Sequence, residues 1–250
     1  MLELKDISVG YGSKIVLDGV TASFEKGKLT AVIGTNGCGK SSLLKAMLGI
    51  LPLWRGEITV DGHELCSMSR NEVAKKIAYL AQGKQTPDMT VEQMVLHGRF
   101  PYLSYPRRYG KFDREKAREA MDALGILHLA EQPLYALSGG MRQNAYIAMA
   151  LAQDTDYILL DEPTTYLDIA HQLELMKRLK KLIGMGKGVV TVMHDLPLAF
   201  DYSDQILVIR NGMSVAQATP SEVCDLRIIS EIFGISMKRM EDGKYFYQYG

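Results

Sequence analysis

The stretch Leu29-Thr30-Ala31-Val32-Ile33-Gly34-Thr35-Asn36-Gly37-Cys38-Gly39-Lys40-Ser41-Ser42 sets the architecture. A strand-length apolar run enters a glycine-rich turn that ends on Lys-Ser. The pattern is G-x-x-x-x-G-K-[ST], and a helix is expected from residue 40 to about 48, stopped by Gly49 and Pro52. Glycines let successive backbone N–H groups turn inward on one anion. The helix N-terminus adds the positive end of its dipole. Gly34, Asn36, Gly37, Cys38 and Gly39 would line a phosphate, with Ser42 beside them. Lys40 would pair phosphate oxygens, and the Ser41 hydroxyl would ligate Mg2+. Cys38 would contribute backbone rather than thiol, so alkylating it should block nucleotide binding, and nucleotide should protect it.

Outward from this loop, short apolar runs alternate with helical stretches, the pattern of an α/β domain with a mainly parallel sheet. Strands are expected near residues 3–9, 15–24, 56–60 and 76–81. A second chemical feature is Tyr157-Ile158-Leu159-Leu160-Asp161-Glu162-Pro163, an apolar strand ending in two carboxylates. After a phosphate loop, that arrangement suits Asp161 as a magnesium holder and Glu162 as proton acceptor from an attacking water. A helix over 168–181 should put Ile169, Leu173, Met176 and Leu179 on one face. A strand over 188–193, a helix near 196–202, a strand over 205–210 and the Asn211-Gly212 turn follow. Residues 235–240 and 244–249 read as a small hairpin around Asp242-Gly243.

Between residues 87 and 153 helical signals dominate. Residues 90–97 open with a Thr-x-x-Gln capping box, and 113–124 carries apolar and small residues at helical spacing. Residues 99–111 read as a loop rich in Tyr, Pro and Arg. One domain of 1–250 results: an α/β core from 1–86 and 154–220, a helical insert over 87–153, and a tail over 221–250.

Bulk properties narrow the classes. The 250 residues hold 29 Lys plus Arg against 29 Asp plus Glu, so no global basic field favours nucleic acid. No apolar run approaches the roughly 18 residues of a membrane span. The start lacks a signal-peptide core. Cys38, Cys66 and Cys224 are too scattered for a disulfide framework or a zinc knuckle, which favours a reducing compartment.

Leu137-Ser138-Gly139-Gly140-Met141-Arg142-Gln143 resembles the signature of the ABC ATPases, and residues 2 to 219 follow that family's order of elements. Physically, Ser138 with Gly139 and Gly140 makes a second helix N-terminus suited to an anion. The resemblance implies the ABC ATPase fold: a P-loop NTPase core, an N-terminal antiparallel β subdomain and a helical insert. It also implies ATP and Mg2+ as ligands, and a head-to-tail homodimer in which each signature closes on the other copy's ATP. Tyr11 resembles the aromatic that stacks on adenine, or packs at a strand end. Gln82 resembles the Gln that reaches Mg2+ and the attacking water. Asp168 resembles the residue joining the two active sites, and can cap its helix as well. His194 resembles the His that contacts the γ-phosphate and orients Glu162. The catalytic set is then Glu162, His194, Gln82 and Lys40, with Ser41, Gln82 and Asp161 toward the metal. His63, His97, His128 and His171 show no metal spacing and are read as structural. Asn144 departs from the family, where many members carry Arg after the signature Gln.

Residues 86–102 and Thr164-Thr165-Tyr166-Leu167-Asp168-Ile169-Ala170-His171-Gln172 are similar to the importers of metal chelates, those for ferric siderophores, haem or cobalamin. That resemblance implies transmembrane permease partners, indirectly a substrate-binding protein, no nucleic acid, and a place at the cytoplasmic face of the membrane. Arg99, Tyr102, Arg107 and Arg108 form either part of a permease-docking groove near Gln82 or a solvated loop. The alternative is an ABC ATPase that drives no transport and serves as an assembly scaffold. A DNA-repair ATPase would need a long coiled-coil insert, and no heptad run is present.

Overall fold

The computed structural model describes residues 1–82, 86–165 and 167–249, so Tyr166 of the quoted motif lies outside the described residues. In chain order the strands are β1 (Leu2–Tyr11), β2 (Lys14–Phe24), β3 (Leu29–Ile33), β4 (Arg55–Val60), β5 (His63–Glu64), β6 (Ile77–Leu80), β7 (Tyr157–Asp161), β8 (Gly188–Val192), β9 (Gln205–Arg210), β10 (Met213–Ala218), β11 (Ile235–Arg239) and β12 (Tyr245–Tyr249). The helices are α1 (Lys40–Met47), α2 (Arg70–Lys76), α3 (Val91–Leu96), α4 (Lys111–Ala123), α5 (Gly139–Ala152), α6 (Ile169–Gly184), α7 (Leu196–Tyr202), α8 (Pro220–Asp225) and α9 (Ile228–Phe233).

Strands β3, β7 and β8 are buried at every residue, as expected where both sheet faces are covered. They lie in a sheet of order β10-β9-β3-β8-β7-β6 that is parallel except for the β9–β10 hairpin at one edge. Parallel strands bring their carboxyl ends to one edge, where ligands of open α/β sheets bind. The residues that follow those ends are Gly34 after β3, Glu162 after β7, Gln82 beyond β6 and His194 beyond β8. The topology thus collects four remote parts of the sequence at one place.

A second sheet, β2-β1-β4-β5, is antiparallel. It closes one apolar core together with α1, in which Phe24, Leu43, Leu44 and Met47 are fully buried. The other face of the parallel sheet builds a separate core with α3, α4, α5 and α6. Thr90 caps α3 reciprocally with Gln93, as the capping-box reading expects. Gly98 lets this helical region pack tightly, because a Cβ there would overlap the Met149 carbonyl oxygen of α5.

Three expectations need correction. The buried stripe of α6 is Leu175, Met176, Leu179 and Leu182, while Ile169 is 76% exposed and Leu173 also faces out. Residues at i, i+3, i+4 and i+7 face the core together, and the stripe runs one step around the helix from the expected face. Arg99 is neither a docking group nor part of a solvated loop. It is 2% exposed, pairs with Asp113 at 3.2 Å, donates to the Ala152 carbonyl at 2.9 Å, and stacks on the Tyr102 ring. A buried guanidinium needs such a full set of acceptors, which the adjacent helix ends supply. Helices α2, α8 and α9 also appear where no helix was read; each is six or seven residues long, too short for a periodic signal. The tail does fold as the β11–β12 hairpin, docked on α7 through Phe200 and Tyr245.

Candidate functional site

The phosphate loop is shaped by backbone that leaves no room for side chains. A Cβ at Gly34 would overlap the Ile209 carbonyl oxygen, and one at Gly39, at φ 106°, would overlap Leu17. Gly37 has nothing within 4 Å, so the loop opens outward there. The Lys40 side chain is buried and folds back over the loop, donating to the Gly34 and Thr35 carbonyls at 2.9 Å each. Among the described residues it has no carboxylate partner. A buried ammonium held only by carbonyls, above a turn of backbone N–H groups, is matched to a polyanion. A cleft of about 180 Å³ lined by Asn36, Gly37, Gly39, Lys40, Ser41, Ser42 and Glu162 opens here.

Cys38 alters one expectation. It is 6% exposed, its Sγ would lie 2.7 Å from a Cβ at Gly34, and burial pushes the thiol above its ordinary range. A shielded, protonated thiol reacts slowly, so alkylation is a poor probe of this site.

Asp161, at the end of β7, accepts from Ser41 Oγ at 3.0 Å and from the Tyr79 hydroxyl at 3.2 Å. Burial pushes its carboxyl up, and the two hydroxyl bonds pull against that. Glu162 stands in the left-handed region at φ 50°, which turns its side chain away from the strand direction. Its Oε2 receives the Gln82 amide and, at 3.2 Å, the Thr165 hydroxyl, while His194 Nε2 lies 2.6 Å from Oε1. The sheet therefore brings Lys40, Ser41, Gln82, Asp161, Glu162 and His194 into one neighbourhood. Tyr11 ends β1 opposite Lys14 and is half exposed, unlike a ring packed into a core. Ser41, Asp161 and the Gln82 side-chain amide each carry an oxygen, the hard donor that Mg2+ prefers.

The Ser138 turn is different. Its hydroxyl caps α5 by accepting from the Met141 N–H at 3.3 Å, while Gly139 faces open space. No hydrogen bond or ion pair among the described residues joins this turn to the phosphate loop. A second cleft, lined by Gly139, Arg142, Gln143, Gln82, Glu162 and Leu167 among others, runs from it to the carboxylate. Glu162 therefore borders both clefts. Asp168 caps α6, accepting from the His171 N–H at 2.9 Å, and its Oδ1 also lies 2.7 Å from His171 Nδ1.

Three contributors escaped sequence reasoning: Tyr79, Thr165 and His171. Tyr79 and Thr165 each lie three residues from a residue already singled out, Gln82 and Glu162 respectively. His171 stands at i+3 from Asp168, the spacing at which a helix cap meets its own first turn.

The sequence profile of the family described as ABC transporter matches residues 17–165. Petrobactin import ATP-binding protein FpuD of Bacillus anthracis is 42% identical over 93% of this chain and 86% of its own length. Ferric enterobactin transport ATP-binding protein FepC of Escherichia coli is 40% identical over 95% of this chain and 89% of its own. A solved structure described as a metal-chelate type ABC transporter in an inward-facing conformation superposes with a TM-score of 0.85, at 26% identity, over 99% of this chain and 97% of that one. With a phosphate loop, a carboxylate pair at the strand end and a signature turn in one chain, this protein belongs to the ABC transporter family and is one of its ATP-hydrolysing cassettes.

Proposed function

We propose that this chain is the ATPase subunit of an importer of ferric chelates, working on a separate transmembrane permease at the cytoplasmic face of the membrane. The observation that carries the reading is the position of Glu162, on the border of the phosphate cleft and of the cleft that reaches the Ser138 turn. The substrate class follows relatives named for petrobactin and ferric enterobactin, which match nearly the whole chain. Haem and cobalamin remain within the broader metal-chelate class and are the competing outcomes.

In this reading Gly34, Asn36, Gly37, Cys38, Gly39 and Ser42 wrap the phosphates, Lys40 turns from its two carbonyls to the terminal ones, and Tyr11 stacks on adenine. Ser41, Asp161 and Gln82 hold Mg2+, which supplies charge neutralisation on the phosphates. Glu162 accepts a proton from the attacking water, and the His194 contact at 2.6 Å fixes its orientation. Ser138, Gly139, Gly140 and Asp168 serve the nucleotide of a second copy placed head to tail, which explains a capped helix N-terminus that, among the described residues, makes no hydrogen bond or ion pair to its own phosphate loop. Residues 87–153 carry the closing motion to the permease. Arg99 holds this region together from inside, and the exposed Phe100, Tyr105 and Arg107 supply its outer face.

Reconstitution with the permease in proteoliposomes, with ATPase read against a panel of ferric siderophores, haem and cobalamin, tests the substrate class. Stimulation by a ferric siderophore and its carrier is expected. Stimulation only by haem or cobalamin reassigns the cargo, and basal turnover unaffected by any chelate favours the scaffold reading. Glu162→Gln should accumulate an ATP-filled dimer, and a monomer in saturating ATP overturns the shared site.

A further inference from the structure

His171 does two things at once. Its Nδ1 lies 2.7 Å from Asp168 Oδ1, and its own backbone N–H reaches the same oxygen at 2.9 Å. A carboxylate can only accept, so Nδ1 carries the proton. Those bonds hold the Asp168 carboxyl below its ordinary range. The opposite edge of the ring lies against the first turn of α5. A Cβ at Gly140 would overlap His171 Cδ2 and stand 2.8 Å from Nε2, so this imidazole fills the space that a side chain there would take. One ring thus spans the gap between the cap of α6 and the Ser138-Gly139-Gly140 turn.

The same segment is anchored on both flanks. Thr165 donates to Glu162 at 3.2 Å, and Gln172 Nε2 donates to the Leu167 carbonyl at 3.1 Å. The Asp168 side chain is 66% exposed and that of His171 42% exposed. An exposed pair of this kind contributes little to global stability, so a contact between two motifs is better explained by geometry than by folding energy.

We propose that His171 is a positioning residue, tying Asp168 to the signature turn so that both reach a second copy's nucleotide in one fixed arrangement. This rests on the shared-site reading above. Without the tie, Asp168 and the turn would approach the partner independently. Misplacement of this kind costs rate more than substrate binding, since the phosphate loop of the same chain is untouched.

The test uses the full chain with its permease in proteoliposomes. His171→Ala should lower kcat for ATP about tenfold, with KM within about twofold and Tm within a few degrees. His171→Asn, which can place an amide N–H near the Nδ1 position, should recover most of the turnover. His171→Phe, which keeps a ring against Gly140 but loses the bond to Asp168, should not. Wild-type kcat in His171→Ala overturns the proposal, as does full recovery by Phe with none by Asn, which would make the contact mere packing. Glu162→Gln supplies the control. If it gives no dimer in ATP, the shared site falls and this inference with it; if it gives a dimer while His171→Ala turns over normally, only the tie is lost.

Discussion

At the phosphate loop an added methyl at Gly34 would strike the Ile209 carbonyl and one at Gly39 would strike Leu17, whereas at the signature turn Gly139 meets nothing within 4 Å. Both are glycine-rich helix N-termini, suited on sequence grounds to an anion. The first is held by its own chain at Gly34 and Gly39 and carries a buried ammonium; the second is capped by Ser138, packed against His171 at Gly140 and open at Gly139. The difference teaches that glycine serves two ends here. At Gly34 it makes room for the chain's own backbone, and at Gly139 it leaves room for something outside the chain.

The sharpest way to break this comparison is to remove one polar side chain on each side. Lys40→Ala should lower ATP turnover of the reconstituted complex at least about a thousandfold, because nothing else in the loop carries a positive charge toward the terminal phosphate. Ser138→Ala should cost only about tenfold, since the backbone N–H groups of that turn survive the change. Steady-state ATPase assays check both, and equal losses would mean that the two turns are not built differently.

Next in size is Arg99, which separates the inside of the helical region from its outer face. Arg99→Ala leaves Asp113 without its cation and the Ala152 carbonyl without its donor, and should cost about 3 kcal/mol in urea unfolding. Tyr105→Ala, at a side chain 95% exposed, should leave unfolding unchanged. If the two variants are equally stable, the buried ion pair does not organise this region.

Gly34→Ala and Gly139→Ala put the comparison itself to the test. The first forces a clash with backbone that cannot move aside and should destabilise the chain by about 2 kcal/mol. The second sits at the first position of α5 with free space, so alanine should leave Tm unchanged or raise it by about 1–2 °C. Its cost should appear as turnover alone. A large fall in Tm for Gly139→Ala would show that the space at Gly139 is not free.

What could be read from residues alone follows the same division. Features fixed by local chemistry were legible: the loop before α1, the carboxylate pair after β7, the capping box of α3 and the Asn211-Gly212 hairpin all announce themselves through spacing and turn residues. Features fixed by long-range packing were not. Arg99 looks like any surface arginine until Asp113 and the end of α5 close over it. The apolar residues Ile169 and Leu173 carry helical spacing yet face outward, because neighbouring elements rather than the helix choose which face is buried. His171 shows no metal spacing in sequence, and its contact with the signature turn arises only where α6 meets α5.

The smallest effect concerns Asp161, where function and stability pull apart. Burial raises this carboxyl above its ordinary value, so the folded chain binds that proton more tightly than the unfolded chain does. The sign follows from linkage: the folded state is favoured on the acid side, and the penalty of an ionised, buried carboxylate grows as pH rises through the elevated value. Ser41 and Tyr79 offset only part of it. Asp161→Asn keeps the shape, can still receive the Ser41 hydroxyl, and removes the charge. Without nucleotide or metal it should therefore raise Tm at neutral pH by about 2–4 °C, corresponding to about 1 kcal/mol, and flatten that side of the pH–stability profile, while turnover collapses. Thermal unfolding between pH 4 and 8, compared with the unchanged chain, checks the sign. A Tm that falls at neutral pH would mean the two hydroxyls overcompensate for burial, and that Asp161 is held in place by bonds as fully satisfied as those around Lys40.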